Sequence, residues 1–176
     1  MKHFSFSFLL VVACGVVLYG CSDKAGPRNQ LTPPEEMESM VSSLPDYHYY
    51  DSVQMGAHLY TYDVLRQATD SLPHVTDEMG DEARDNTIRL LLTRDGRTYF
   101  GHTFTKQTFQ SSLDEEFYKR SILDGIRFIG AEAGKGITFI FAVSEPNSDM
   151  TVPFSLTVAD DGSFSFVKTE MMDMEE

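Results

Sequence analysis

The chain has 176 residues, with 14 Lys and Arg against 27 Asp and Glu and a formal net charge of −13 at pH 7. That balance leaves no basic surface able to neutralise a phosphate backbone, so nucleic acid is not an expected partner. The two cysteines, Cys14 and Cys21, both lie near the amino end; the rest of the chain therefore holds no disulfide and no thiol nucleophile or ligand.

Lys2 and His3 precede an apolar run, Phe4 to Tyr19, that is interrupted only by Ser5, Ser7 and Gly15. Its length suits a signal-peptide core and falls short of the roughly 20 residues of a membrane-spanning helix. The run closes on Leu18-Tyr19-Gly20-Cys21, which resembles the bacterial lipobox: an aliphatic residue, a variable one, a small one, then cysteine. The resemblance implies cleavage before Cys21, a diacylglycerol on its sulfur and acylation of the freed amine. A rival site, Val11-Val12-Ala13-Cys14, would leave an apolar tail, Gly15 to Gly20, behind a core of only about nine residues, near the short limit for such a region. Residues 1–20 are thus expected to be a lipoprotein signal peptide. Each buried methylene contributes about 0.8 kcal/mol, so two or more acyl chains hold a protein on a bilayer. The lipid would be the membrane contact, because an anionic body avoids anionic headgroups. Ser22 rather than aspartate follows the cysteine, which permits delivery to the outer membrane, on its periplasmic side or at the cell surface.

Residues 21–46 read as a tether with a short amphipathic helix. Ser22 to Leu31 is polar, with Gly26 and Pro27. Thr32 and Glu35 make a capping-box pattern, Pro33 suits the first helical position, and Met37, Met40, Val41 and Leu44 fall on one face before Pro45 stops the helix. Residues 47–170 read as a single domain. Tyr47, Tyr49 and Tyr50 cluster ahead of a strand over Ala57 to Leu65. Thr69 to Asn86 is a long polar stretch with Pro73 and Gly80. Ile88, Leu90 and Leu92 alternate, Asp95-Gly96 is a type I′ turn signal, and Phe100, His102 and Phe104 alternate on the return: a β-hairpin.

A helix is expected next, with a capping box at Ser112 and Glu115, apolar contacts from Leu113, Phe117, Ile122 and Leu123, and Gly125 as its stop. Ile126 to Ala131 pairs with Ile137 to Val143 across Gly134-Lys135-Gly136, and Val152 to Val158 pairs with Phe164 to Val167 across Asp161-Gly162. Residues 171–176 read as an acidic tail. The short turns forbid parallel crossovers. The expected fold is α+β: a twisted, mainly antiparallel meander of about seven strands packed on one helix, with room to curl toward a barrel. As an alternative, the last four strands form half of a β-sandwich.

Three groups of side chains could carry function. Asp77, Glu78, Asp81, Glu82 and Asp85 crowd one loop with Arg84 among them. Hard cations such as calcium take carboxylate oxygens, but no D-x-D-x-D-G spacing is present, so no metal is expected and a solvated loop is the simpler reading. His48, His58, His74 and His102 are scattered, without an HExxH or an i, i+4 pair; His102, between two phenylalanines, reads as a half-buried strand residue. Tyr47, Tyr49 and Tyr50, with acids interspersed, could stack on sugars or anchor a protein interface, or simply cover the core as an edge or lid segment. No nucleophile elbow, Gly-rich phosphate loop or Ser-x-x-Lys is found, so neither a catalytic residue nor a cofactor is expected.

The leader, "LPHVTDEMGDEARDN", "TRDGRTYFGHTFTK" and the strand-rich remainder resemble small lipoproteins of unknown function common in gut Bacteroidetes. That resemblance implies a cell-envelope protein without an assigned enzyme activity, and carries over no functional residue. The leading expectation is a lipid-anchored, non-catalytic binding or accessory module that meets an envelope protein or glycan through the open face of the sheet or through Tyr47, Tyr49 and Tyr50. The alternatives are an inhibitor-like protein docking on a basic partner through Asp77, Glu78, Asp81 and Glu82, and an undescribed envelope hydrolase.

Overall fold

The computed structural model describes residues 41–170. Among them the strands are β1 (Tyr47–Met55), β2 (His58–Ala68), β3 (Val75–Thr76), β4 (Glu82–Ala83), β5 (Asn86–Arg94), β6 (Arg97–Phe104), β7 (Ile122–Glu132), β8 (Gly136–Ser144), β9 (Thr151–Val158) and β10 (Phe164–Lys168). A 3-10 helix (Lys106–Ser112) and the short helix α1 (Glu115–Arg120) connect β6 to β7. The strands form two four-stranded antiparallel sheets, ordered β1-β2-β5-β6 and β10-β9-β8-β7, and a small β3-β4 pair.

The two large sheets pack face to face. Period-two alternation sends Ile88, Leu90 and Leu92 of β5 inward, opposite Ile137, Phe139, Phe141 and Val143 of β8 and Phe154, Leu156 and Val158 of β9, all without solvent exposure. Rings interlock across the layers: Tyr62 stacks on Phe128 at 4.8 Å between centroids, and Phe104 meets Phe141 at 4.8 Å. Each such side chain contributes about 1.5–3 kcal/mol on burial, so this layer is the main driving force for the fold.

The expected single sheet of seven strands on a helix is therefore corrected to two stacked sheets. No barrel closes, because β1, β6, β7 and β10 remain edges. The reading of the last four strands as half a sandwich describes β7 to β10. The helix is too short to form a layer. Its cap is Asp114, which accepts from the Glu116 and Phe117 amides at 2.9 and 3.3 Å, not Ser112. Ile122 and Leu123, read as its apolar face, instead open β7 opposite Ser144 and Val143, and Gly125 lies inside that strand. β-Branched Ile122 and a waiting partner strand outweigh the capping pattern.

Two further elements were not anticipated. Tyr47 to Met55 is itself a strand, and the polar stretch Thr69–Asn86 folds into the β3–β4 hairpin. At the domain entry, Val41 to Leu44 is not helical. The Ser42 amide donates to the Glu82 carbonyl at 2.8 Å and the Arg84 amide donates to the Ser42 carbonyl at 2.9 Å, while Leu44 packs on Val75, Ala83 and Ile122. The remainder of that expected helix, the signal sequence with Cys21, and the acidic tail lie outside the described residues.

The two flanks of the sandwich differ. On one, Phe164 of β10 meets Phe100, His102 and Phe104 of β6 at 6.0, 5.2 and 5.4 Å. A Cβ on Gly162, in the β9–β10 turn at φ 81°, would stand 2.7 Å from the Tyr99 carbonyl oxygen, so glycine lets this turn seat directly on β6. On the opposite flank β1 and β7 leave a gap.

Where the chain crosses between sheets, a polar node replaces apolar packing. Asp85, 2 % exposed, accepts from the Leu123 and Asn86 amides at 2.7 and 2.8 Å. The Asn86 side chain donates to the Leu123 carbonyl at 2.8 Å. Lys106 donates to the carbonyls of Ser121 and Tyr118 at 2.6 and 3.0 Å, its nitrogen 3.7 Å from Asp85 Oδ2. These bonds pin the start of β7 to the end of the first sheet.

Candidate functional site

The gap between β1 and β7 is a cleft of about 330 Å³. Its near wall follows from register. Tyr49 pairs with Val64, Asp51 with Tyr62 and Val53 with Tyr60; those β2 residues face the core, so Tyr47, Tyr49, Asp51 and Val53 face inward as well. At an edge strand they overhang open space rather than a neighbouring strand. The second sheet supplies Ile126, Arg127 and Phe128 as the far wall.

Hydrogen bonds organise the near wall. Asp51 Oδ1 accepts from the Ser52 amide at 2.7 Å. Asp51 Oδ2 accepts from the hydroxyls of Tyr49 at 2.8 Å and Tyr62 at 3.4 Å. The Ser52 amide first, then the Tyr49 hydroxyl, hold the Asp51 carboxyl below its ordinary pKa. The Tyr49 phenol is raised, chiefly by its bond to Asp51, and burial raises that of Tyr62 much further. The Tyr47 and Tyr49 rings lie nearly parallel, 10° apart with centroids at 6.3 Å, and the Arg66 guanidinium sits 5.9 Å from the Tyr47 centroid. Two aromatic faces and a fixed carboxylate thus share one open cleft, with the Arg66 guanidinium held against the Tyr47 ring.

Tyr47 and Tyr49 of the sequence-derived candidates meet here. Tyr50 does not: one position out of phase, it points from the outer face of the first sheet and is exposed. Asp51, Tyr62, Arg127 and Phe128 were missed. An acid two residues after Tyr49 in an aromatic strand was a usable signal for Asp51; Arg127 and Phe128 come from the other sheet and gave none.

The acidic candidates are directed elsewhere. Asp77 closes its own turn, accepting from the Met79 and Asp81 amides at 2.9 Å each and from the Asn147 side chain at 3.1 Å, and its carboxyl is lowered by Asn147 first. Glu78 lies 3.4 Å from Arg120, and Glu82 lies 3.8 Å from the His74 ring. Asp81 is exposed at the turn. Asp85 is the buried group of the crossing, not part of an open loop. Among the described residues, no three His, Cys, Asp or Glu side chains are grouped so as to hold a metal ion.

Three of the four histidines considered pair with aspartates: His48 with Asp63 at 3.2 Å, His58 with Asp95 at 2.6 Å and His74 with Asp70 at 3.3 Å. The closest, His58–Asp95, ties the β1–β2 turn to the β5–β6 turn in solvent and lines neither cleft described here. His102 packs on Phe104 at 4.5 Å. A second depression, about 610 Å³, lies on the outer face of β7, β8 and β9, with Ile129, Ile140, Ala142 and Pro153 in its apolar lining.

These features define a two-sheet antiparallel sandwich with one sealed flank and one open, tyrosine-lined flank. The chain belongs to the family described as Domain of unknown function (DUF4738), which matches residues 28–166. No curated protein matches it. No helix among the described residues is long and apolar enough to cross a membrane.

Proposed function

We propose that this protein is a lipid-anchored, non-catalytic binding module of the bacterial cell envelope, akin to the small outer-membrane lipoproteins of Bacteroidetes. It is held through acylated Cys21 on the periplasmic or outer side of the outer membrane, and its ligand enters the β1–β7 cleft. The leader ending in Leu18-Tyr19-Gly20-Cys21 and the absence of cysteine after it support the anchor. The observation that carries the binding role is Asp51, fixed by two phenol hydroxyls and a backbone amide beneath exposed tyrosine rings. Docking through the acidic loop has less support, because Asp77, Glu78 and Glu82 have partners within the domain. A hydrolase has less again, because the His58–Asp95 pair stands outside both clefts.

Two measurements test the reading. Intact mass of the membrane-extracted protein, combined with protease shaving of whole cells, reports cleavage, lipidation and sidedness; a chain that keeps its first twenty residues and leaves the membrane in carbonate overturns the anchor. A photo-crosslinking aromatic residue at Tyr47, on the inward face of the cleft wall, should capture an envelope component in cells that the same residue at Thr87, on another strand, does not. Equal labelling from both positions overturns the cleft as the binding site.

A further inference from the structure

We infer that the β1–β7 cleft takes a neutral, hydroxyl-rich ring ligand, that is, a saccharide. The inference rests on the reading of this cleft as a binding site and concerns what it accepts.

The polar atoms of the near wall are acceptors. The Tyr49 and Tyr62 hydroxyls both spend their protons on Asp51 Oδ2, which leaves each phenol oxygen with lone pairs only. A carboxylate has about four acceptor sites. Three bonds to Asp51 are in place, one on Oδ1 and two on Oδ2, so Oδ1 retains capacity. A ligand here must bring donors. Phosphates and carboxylates bring none and would meet the Asp51 charge.

Two donor-rich classes remain: cations and polyols. Arg66 decides between them: its guanidinium already stands 5.9 Å from the Tyr47 ring centroid, which opposes a second cation at the same rings. A neutral ring with hydroxyls around its rim and C–H groups on its faces fits both features. The hydroxyls donate to Asp51 and the phenol oxygens, and the C–H faces lie on Tyr47 and Tyr49.

An added peptide strand fits less well. An inward-pointing charge on an edge strand is a common device against strand addition, and Asp51 occupies that position. Edge protection by itself, however, needs no pair of phenols converging on the carboxylate.

The test uses the full chain in detergent micelles. The protein has eight tyrosines and no tryptophan, and Tyr47, Tyr49 and Tyr62 line the cleft, so its occupation changes part of the tyrosine emission. It is titrated with neutral glucose-, mannose- and N-acetylglucosamine-based oligosaccharides, with a uronic-acid oligosaccharide and with choline. The expected result is a saturable response to at least one neutral series, weaker by about tenfold or more in Tyr49→Ala and Asp51→Ala and unchanged in Tyr50→Ala. Tyr49→Phe and Asp51→Asn, which keep the shape, should each weaken binding by about three- to tenfold. The inference is overturned if no neutral series binds, if choline or the uronic acid binds more tightly, or if binding survives Tyr49→Ala and Asp51→Ala. Crosslinking from position 47 to a protein, with no saccharide response, would leave the binding module standing and remove its sugar; failure of both would remove both.

Discussion

Asp85 and Lys106 face each other across 3.7 Å at the crossing between the two sheets, a carboxylate and an ammonium nearly sealed from water. Burial raises the Asp85 carboxyl and lowers the Lys106 ammonium, so each charge relies on the other and on the surrounding backbone. Lys106→Met should destabilise the fold by about 3–5 kcal/mol in urea titration, because it strands a buried charge. Asp85→Asn, which can still accept a backbone amide, should cost less, and Asp85→Asn/Lys106→Met should be more stable than Lys106→Met alone.

The same carboxyl predicts a pH dependence. A native pKa above the ordinary 3.8 means that the native state binds this proton more tightly. The resulting stability is fully present below 3.8 and is lost as pH rises through the native value. Wild-type urea midpoints should therefore rise slightly from about pH 7 to about pH 4, and Asp85→Asn should lack that rise.

Surface aspartates act in the opposite direction and in a different window. Asp51, Asp70, Asp77, Asp95 and Asp161 all have lowered pKa values, each with a hydrogen bond as the leading cause. Their contribution is present above 3.8 and is lost as pH falls through the native values. Stability should drop below about pH 4, measured as the thermal midpoint by circular dichroism, and Asp77→Asn should make that drop shallower.

How much of this could be read from sequence depended on the range of the signal. The β5–β6 hairpin was legible because its turn is local: Asp95 and Gly96 take φ values of 51° and 77°, the pair of positive angles that a type I′ turn demands. The β7–β8 and β9–β10 hairpins were legible for a similar reason, apolar alternation on either side of a glycine. The division into two sheets was not, because alternation shows that Phe139 points inward but not which strand it meets. β1 was missed because most of its side chains are exposed and the inside–outside contrast vanishes at an edge. Half of the cleft, Tyr47 and Tyr49, was visible; the half contributed by β7 required the sandwich to be closed first.

Glycines offer a sharp comparison. Gly136 has φ 109°, and a Cβ there would stand 2.0 Å from the Val158 carbonyl oxygen, whereas a Cβ on Gly130 meets nothing within 4 Å. Gly136→Ala should cost about 1–3 kcal/mol from backbone strain alone, plus the displacement of β9. Gly130→Ala should stay within about 1 kcal/mol of wild type in the same urea titration.

Core and surface aromatics should separate just as cleanly. Phe139 is fully buried, with Tyr62 and Phe128 at 5.6 and 5.9 Å, and Phe139→Ala should cost about 3–5 kcal/mol. Tyr50→Ala, on an outward face, should change stability by no more than about 0.5 kcal/mol. Thermal unfolding of the two variants side by side measures both.

Each large sheet is drawn from its own continuous stretch of chain, one ending at Phe104, with the small β3–β4 hairpin inserted in it, and the other beginning at Ile122. A chain emerging amino end first would therefore finish a complete half while Leu90, Leu92 and Phe104 still face water, with nothing yet synthesised to cover them. Hairpins close within about 1–10 μs, far sooner than the second half can arrive. The natural cut at residue 105 is for this reason a poor place to divide the molecule, since either piece alone would present a greasy slab.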